Sequence, residues 1–537
     1  MAAYVPNRET GSFPGRFQNP VKFSQVFVIC LSLVVFAGCR EDGGPESDAL
    51  YEETLTIAVM QESPSLDLHK NSTLIARQIG DGTIWEKLVT LSSASEAVPE
   101  LAERFETGEG GRSLTFYLRR GVPFHDGSIM DAEDVISSLN RWIESFSSVR
   151  EMAGASRFEK VDDYTVRIRF ENPALSFPEI MAGSAQPAVI TTAEACGDED
   201  ERGFLRRYIG TGPFKFAEWK LNQYILLERF DSYAPYGDPD KPADGWAVYK
   251  KPAAEKICFQ IVPQSATRLA GLETGQFQAD YNLVEDDLPR LKAMKDVETV
   301  SYQAGSMLLI FNKKQGLGTN LYFRQAINAA LDAEEILKAC FGEEYSLNSS
   351  YMEDPESFWF SRAGAEYYNR RDIALARELL KKADYRGEVL RILISNMGTF
   401  DRGALVLKQQ LEALEIPVEL EIVDWAAMLQ YRNDPSRYDI FITNFVSVPS
   451  PLLKLFFGPS YPGWSEDETL QHLVRELTSA ENREEAKQRW DNLQGYCWVS
   501  LPVINVGHFG STHAWNKKLE NIITFKGLYF WNAGLRK

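Results

Sequence analysis

The side chains best suited to acid–base or metal chemistry are few and scattered in this chain. The five histidines are His69, His125, His472, His508 and His513. His508 and His513 flank a short Gly-Ser-Thr sequence without nearby carboxylates, which favours surface histidines at a strand end over a metal site. His125 lies in a His-Asp-Gly sequence typical of a turn. We therefore predict no catalytic residues and no metal site.

The motifs of common enzyme classes are also absent from the sequence. It contains no GxSxG elbow, no phosphate-binding P-loop, no HExxH and no GxGxxG ahead of a helix. Cys196, Cys258, Cys340 and Cys497 lack the spacing of zinc ligands. An exported chain permits disulfides between them, and all three pairings stay open. An envelope hydrolase with an unrecognised active site remains the alternative function.

Composition indicates a soluble multidomain protein. The chain is 44% hydrophobic and 25% charged, which is ordinary for globular proteins. Its 537 residues are too many for a single hydrophobic core. The net charge of −19 argues against a nucleic-acid partner, because such proteins carry basic patches that meet phosphates. We expect two or three domains.

The N-terminus reads as a targeting segment. Arg8, Arg16 and Lys22 precede the apolar run 26–36, which is shorter than the roughly 20 residues of a permanent span. The run ends in Phe-Ala-Gly before Cys39, which resembles a bacterial lipobox with Cys39 as the acylated residue. The alternative is an ordinary cleaved signal with an incidental cysteine. Residues 40–53 are acidic and bear Gly, Pro and Ser, as a flexible tether does.

Hydrophobic periodicity predicts a mixed α/β chain. Asp131 and Asp134 resemble a capping box at a helix start. The strand–helix–strand order of 389–423 predicts a parallel unit. Predicted strands are 54–60, 114–118, 166–170, 257–262, 307–312, 389–395, 418–423, 438–443 and 501–506; predicted helices are 74–91, 265–272, 321–331, 372–383, 404–414 and 481–493.

One turn is especially distinctive. Ile209-Gly-Thr-Gly-Pro213 leads into a strand that ends at Trp219, and a second strand returns over 224–230. Gly210 and Gly212 suit backbone conformations that strain other residues, and Pro213 pre-sets the turn. We expect a β-hairpin here.

Taken together, these segments resemble extracellular solute-binding protein family 5, the dipeptide-, oligopeptide- and nickel-binding components of ABC importers. The resemblance runs collinearly over nearly the whole chain after Cys39. Segments that carry it are 65–69, 98–105, 114–128, 131–135, 209–229, 267–280, 311–314, 324–332 and 374–380.

The resemblance implies an α/β, two-lobed periplasmic-binding-protein-like fold of type II, with mixed sheets flanked by helices and a ligand cleft between the lobes. It implies a signal peptide over 1–38, a tether over 39–53, lobe I from 54–90 with 185–308 and 505–537, a small inserted domain over 91–184, and lobe II over 309–504. Ligand binding would shift an open–closed equilibrium. Such a component catalyses no reaction and needs no cofactor. It works as an exported monomer with ABC permease and ATPase subunits, held at the membrane by its lipid.

Ligand-facing positions are carried over where segments align. Arg402 falls where dipeptide binders present an arginine to the ligand carboxylate, a task that suits its bidentate fork. The loop 304–307 supplies another cleft edge. The full set implied by the resemblance is Asn71, Ser306, Met307, Arg402, Trp425, Asn444, Phe445, Ser447 and Val448.

The segment 444–448 departs from the peptide binders. These carry a tryptophan and then an aspartate that meets the peptide ammonium, whereas here Phe445 and Val448 stand at those positions. A buried ammonium without a counter-charge is costly, so ordinary peptides are disfavoured. Nickel chelates are also unsupported, because the arginine expected within 182–187 is missing. An N-blocked peptide, a sugar, an opine-like compound and other small organic molecules stay open.

Overall fold

We describe a computed structural model of the chain over residues 54–281, 283, 285–396 and 398–536. The leader, the tether and Cys39 lie outside the described residues. Strands are β1 Thr54–Val59, β2 Val89–Leu91, β3 Ala97–Pro99, β4 Ala102–Gly108, β5 Ser113–Leu118, β6 Glu159–Asp162, β7 Thr165–Arg169, β8 Phe214–Lys220, β9 Tyr224–Arg229, β10 Lys256–Ile261, β11 Ala279–Asp280, β12 Val297–Phe311, β13 Tyr345–Ser346, β14 Leu390–Ser395, β15 Val418–Val423, β16 Ile440–Val446, β17 Val503–Asn516, β18 Leu519–Glu520 and β19 Gly534–Leu535.

Helices lie between these strands. They are α1 Leu74–Gly80, α2 Ala132–Ser145, α3 Ser147–Ala153, α4 Phe177–Ala182, α5 Ala193–Cys196, α6 Ser265–Thr274, α7 Leu288–Ala293, α8 Leu321–Ala330, α9 Ala333–Phe341, α10 Ile373–Lys382, α11 Phe400–Glu412, α12 Trp425–Tyr431, α13 Glu468–Thr478 and α14 Arg483–Ser500. Among the described residues, no helix combines the length and apolar character needed to cross a membrane.

The main sheet is mixed and its strand order is far from sequence order. It runs β15-β14-β16-β12-β17-β11-β1-β10-β9-β8, and β13 adds to β17. A separate four-stranded sheet has the order β4-β5-β7-β6. Its strands pack with α2 and α4 around an apolar cluster that contains Phe116, Trp142 and Phe177.

Strands β12 and β17 connect two large hydrophobic cores. They pair antiparallel from Val297 opposite Asn516 to Ile310 opposite Val503. One end of the pair, with Met307–Phe311, belongs to a core built from residues 307–506. The other end meets the core of β1, β9 and β10 through Trp515. The register shifts at Gln303/Gly305 and at Met307/Leu308, so the pair bends between the two cores.

Most predicted elements are confirmed to within a few residues. Asp131 accepts from Glu133 and Asp134 amides, and Asp134 returns the bond, so the capping box is present. β14 and β15 are parallel, with α11 between them in sequence. The hairpin prediction is also confirmed, because β8 and β9 pair antiparallel.

Three sequence interpretations were wrong. The helix predicted over 74–91 ends at Gly80, because Gly82 adopts φ 73° and Trp85 folds back onto Gly80. The predicted loop 304–307 is instead part of β12, since β16 and β17 hydrogen-bond on both sides of it. His508 and His513 are not surface residues: both are buried within β17, with 0% and 1% exposure.

No disulfide joins any two of the four cysteines that the structure describes. Cys340 and Cys497 are buried in the core, and Cys196 and Cys258 are half-buried. Burial raises the pKa of the Cys258 thiol to about 11, so this thiol stays protonated at neutral pH. None of the three disulfide pairings left open by the sequence therefore forms in this structure.

The Gly-Thr-Gly-Pro turn is fixed by close backbone packing rather than by unusual dihedral angles. A Cβ on Gly210 would lie 2.0 Å from the Ile84 carbonyl oxygen, and one on Gly212 would lie 2.2 Å from that of Thr83. His125 holds the turn: its Nε2 donates to the Gly212 carbonyl at 3.0 Å, and its Nδ1 accepts from the Gly210 amide at 3.2 Å. Burial lowers the pKa of His125 to about 4, so this neutral tautomer persists at physiological pH.

This packing predicts that Gly212→Ala lowers the free energy of unfolding by about 1–3 kcal/mol, because the added methyl meets backbone that cannot rotate away. Gly495→Ala is the matched control. Gly495 lies inside α14 with its nearest neighbour at an ordinary 3.6 Å, so alanine there raises stability by up to about 1 kcal/mol. Urea unfolding followed by circular dichroism measures both values. Equal stability of the two variants would contradict the packing argument.

Candidate functional site

A cavity of about 410 Å³ lies beside the bend of the β12–β17 pair. Its walls come from distant parts of the chain: α1, the turn after α4, the start of α11, the end of β16, and the loop before β19. Both central strands contribute, with Tyr302, Gln303 and Ala304 from β12 and residues 509–513 from β17. The cavity therefore lies where the two cores approach each other.

Aromatic rings form much of the wall. Phe341 stacks on Phe509 with ring centroids 5.0 Å apart, and Phe400 meets both rings edge-on. Aromatic walls with a few placed polar groups are typical of small-molecule sites. The aromatic residues lining the cavity are Trp246, Tyr281, Tyr302, Phe341, Phe400, Phe509 and Tyr529.

Arg77 of α1 is the least compensated charge at the cavity. Its Nε donates to the Ser72 carbonyl at 3.0 Å and its Nη1 to the Ser184 carbonyl at 3.2 Å. It forms no ion pair with any carboxylate in the described part of the chain. Burial lowers the pKa of Arg77 despite favourable electrostatic contributions from Tyr529 and Asp81, because desolvation penalises the charged form.

Gln78, the next residue of α1, also borders the cavity. It is only 8% exposed, and neither its Nε2 nor its Oε1 has a hydrogen-bond partner among the described residues. Leaving a buried amide unsatisfied costs about 1–3 kcal/mol. An unpaired amide at a cavity wall is a group that a solute could hydrogen-bond.

The other ionisable groups of the wall are neutral or already paired. Lys526 Nζ lies 3.0 Å from Asp354 and donates to Ser95. Glu344 lies 3.2 Å from Lys292 Nζ. His513 donates from Nδ1 to the Tyr281 carbonyl, and burial lowers the pKa of His513 to about 4, so the ring is uncharged at neutral pH.

Of the ligand-facing residues proposed from sequence, three line this cavity and six do not. Asn444, Ser447 and Val448 are in its wall. Asn71 is instead committed to its own loop, since its Nδ2 donates to Ser63 Oγ and to the Ser65 carbonyl. Met307 is fully buried against Cys340 in the core of residues 307–506.

Three of the remaining four, Arg402, Trp425 and Phe445, lie outside the cavity wall for visible reasons. Arg402 is 52% exposed and faces Asp286 at 3.5 Å, although residues 398–400 just before it do line the cavity. Trp425 begins α12 and packs against the core of residues 307–506. Phe445 alternates away from Asn444 along β16 and meets Phe456 and Tyr461 edge-on.

Ser306 belongs to a buried polar cluster. Its hydroxyl donates to Glu353 Oε1 at 2.6 Å and lies 3.0 Å from His508 Nδ1, while Lys454 Nζ contacts the same carboxylate oxygen at 2.5 Å. Serine, histidine and acid occur together here, but the acid bonds the serine rather than the histidine, and all four side chains are at most 2% exposed. The arrangement lacks both the order of a catalytic triad and access for a substrate.

Arg77 and Gln78 were missed by sequence reasoning. They lie in a segment predicted as a longer amphipathic helix, where an arginine and a glutamine are ordinary. Only the approach of residues 183–185, 281 and 526–529 turns this face of α1 into a cavity wall. Within the described residues, no group of three or more His, Cys, Asp and Glu side chains could hold a metal ion.

Comparisons with known proteins agree with this architecture. Residues 96–464 match the family described as bacterial extracellular solute-binding proteins, family 5 Middle. The "Probable peptide ABC transporter periplasmic-binding protein y4tO" of Sinorhizobium fredii is 25% identical over 479 residues, which cover 84% of this chain and 87% of that protein.

Solved structures show the same fold at lower sequence identity. The substrate-binding protein CtaP of Listeria monocytogenes is 19% identical with a TM-score of 0.78, covering 90% of this chain and 100% of that one. AgaA from A. tumefaciens R10, solved with agropinic acid, is 22% identical with a TM-score of 0.72, covering 90% and 99%. The fold is therefore the two-lobed, mixed α/β fold of periplasmic binding proteins, and the chain belongs to family 5 of the bacterial extracellular solute-binding proteins.

Proposed function

We propose that this protein captures a small organic solute in the 410 Å³ cavity and delivers it to an ABC permease, without changing it chemically. The observation that carries this proposal is the cavity itself, which has aromatic walls and the Gln78 amide, a group without a hydrogen-bond partner among the described residues. A transport receptor needs such a site, whereas a hydrolase needs an accessible nucleophile beside a base. The buried Ser306 and His508 do not offer one.

In the proposed cycle, lobe I (54–90, 185–308 and 505–537) closes on lobe II (309–504), and 91–184 forms a separate inserted domain. The separate hydrophobic cores of residues 307–506 and of β1, β9 and β10 support this division, as does the bend that β12 and β17 make between them. A solute that contacts both lobes favours the closed form by its differential affinity. The permease, with its ATPase subunits, then reads the closed form.

Mass spectrometry and solution scattering test this function. We expect the freshly purified, denatured protein to release a small molecule. Adding that molecule back reduces the radius of gyration, and the molecule is recovered intact after prolonged incubation. Steady conversion of the molecule, abolished by a single substitution, would favour the hydrolase and overturn the receptor.

We propose that this protein binds a narrower range of ligand types than its relatives do as a group. Relatives with this fold bind chemically different ligands: AppA of Bacillus subtilis was solved with a nonapeptide and AgaA with agropinic acid. In this chain Val448 lines the cavity where the peptide binders carry an acid. Among the described residues of the wall, the carboxylate present is that of Glu344, which already faces Lys292.

We therefore predict that di- and tripeptides with a free amino terminus stabilise the protein weakly, and that Val448→Asp strengthens their binding at least about tenfold by supplying the missing counter-charge. Thermal-shift titration measures both effects. Val389→Asp, on an exposed residue before β14, is the matched control and leaves peptide binding unchanged. Strong stabilisation of the unaltered protein by free-amino peptides would refute the prediction.

We also propose that Cys39 carries a lipid that holds the exported protein at the membrane. The support is the small-residue sequence before Cys39 and the polar tether after it. Cys39→Ser is expected to shift the protein from the membrane fraction to the soluble fraction of the envelope, because the acyl chains supply the membrane affinity. Fractionation followed by immunoblotting measures this, and Cys196→Ser serves as the control. A membrane-bound Cys39→Ser variant would rule out the lipid.

A further inference from the structure

Two adjacent side chains of α1 reach the cavity with unused hydrogen-bonding capacity. The bonds from Arg77 to the Ser72 and Ser184 carbonyls use two of the five N–H donors of its guanidinium. Within the described residues, its Nη2 has no hydrogen bond. Gln78 adds an amide with both ends unsatisfied. Together the two residues contribute one cation and several N–H donors to the part of the wall that α1 forms.

Within the described residues, no carboxylate forms an ion pair with Arg77. The acid that influences it most, Asp81, pairs instead with Lys87 Nζ at 2.5 Å. Glu344 forms an ion pair with Lys292, and Lys526 forms one with Asp354. A half-buried guanidinium without a counter-ion is unfavourable, and a bound carboxylate supplies the counter-charge through a charge-assisted N–H···O bond.

We infer that Arg77 and Gln78 form the anchor for a carboxylate, so that the captured solute is an organic anion without a free ammonium group. This inference rests on the proposed receptor function and narrows it. In this arrangement the carboxylate accepts hydrogen bonds from Nη2 of Arg77 and from the side-chain amide of Gln78. The aromatic cluster of Phe341, Phe400 and Phe509 provides an apolar surface for the rest of the molecule. An ammonium group finds no unpaired acid among the described residues of the wall.

This assignment differs from the one suggested by sequence. Dipeptide binders place their carboxylate-binding arginine where Arg402 stands, but Arg402 is half exposed and faces Asp286. Arg77 lies far from Arg402 in the sequence, on helix α1, which follows β1. If Arg77 binds the carboxylate, substituting Arg77 weakens binding and substituting Arg402 does not. If Arg402 binds it, the reverse is expected.

The test presents a deproteinised metabolite extract of bacterial cells to the full-length wild-type protein, freed of its own ligand by unfolding and refolding. Bound small molecules are identified by mass spectrometry and then titrated, as pure compounds, by calorimetry. We expect the captured compound to carry a carboxylate and no primary amine. We expect Arg77→Gln to weaken its binding at least about tenfold, in line with loss of a charge-assisted hydrogen bond. Arg402→Gln and the surface variant Arg150→Gln are expected to change it less than about twofold.

Two further variants separate an anchor from a structural role. Gln78→Met keeps the side-chain volume but removes the unsatisfied amide, so the empty protein is expected to melt at or above the wild-type temperature while losing affinity at least about threefold. Arg77→Lys keeps the positive charge but lacks the planar guanidinium group. Its loss of affinity is expected to lie between wild type and Arg77→Gln.

Each outcome bears on the inference. A captured compound that is neutral or carries a free amine overturns the carboxylate assignment while leaving the receptor function intact. Unchanged affinity in Arg77→Gln, or a loss confined to Arg402→Gln, overturns the anchor. A Gln78→Met variant that melts well below the wild type overturns the role of Gln78 at the site. Capture of no compound by the wild-type protein contradicts the receptor function on which the inference rests.

Discussion

The pairing of β12 with β17 is the constraint on which the rest of the structure depends. These two strands are the longest in the described chain, and their register runs from the core of residues 307–506 to the core of β1, β9 and β10. Because each end packs into a hydrophobic core, a slip of one residue would disrupt the apolar packing at both ends. The middle is different: register shifts interrupt the ladder there, and the cavity occupies the space beside them.

Gln78 differs in hydrogen-bond satisfaction from three other polar side chains described above. Asn71 and Ser306 are buried and His125 is half-buried, and each of the three side chains forms hydrogen bonds to protein partners. Gln78 is 8% exposed, and its side-chain amide has no hydrogen-bond partner in the described part of the chain. An unsatisfied buried polar group weakens a fold, and at a cavity wall it agrees with the proposed role of Gln78 in binding a solute.

Sequence patterns predicted the fold well because local chemistry determines most of it. The capping box at Asp131, the β8–β9 hairpin and the parallel β14–β15 pair each follow from residues close together in the chain. Errors arose where distant contacts override local pattern. Trp85 and Gly82 end α1 earlier than its periodicity suggests, and strands on both sides convert 304–307 from a loop to part of β12.

The site was harder to predict than the fold for the same reason. Asn444, Ser447 and Val448 were identified through family alignment and lie in the cavity wall. Arg77 and Gln78 gave no local signal, since their significance depends on which segments approach α1 and on which bonds remain unmade. His508 shows the converse: a histidine near a strand end looked exposed, but β13 and β12 cover it on both sides.

The most direct test of this account is hydrogen–deuterium exchange with and without the captured solute. The account predicts that the solute slows exchange in segments around the cavity, namely 74–80, 302–304, 398–400, 444–449 and 509–513, which come from both proposed lobes. Protection confined to one lobe, or centred instead on the second cavity around Tyr233 and Lys250, would contradict capture at the bend of the β12–β17 pair.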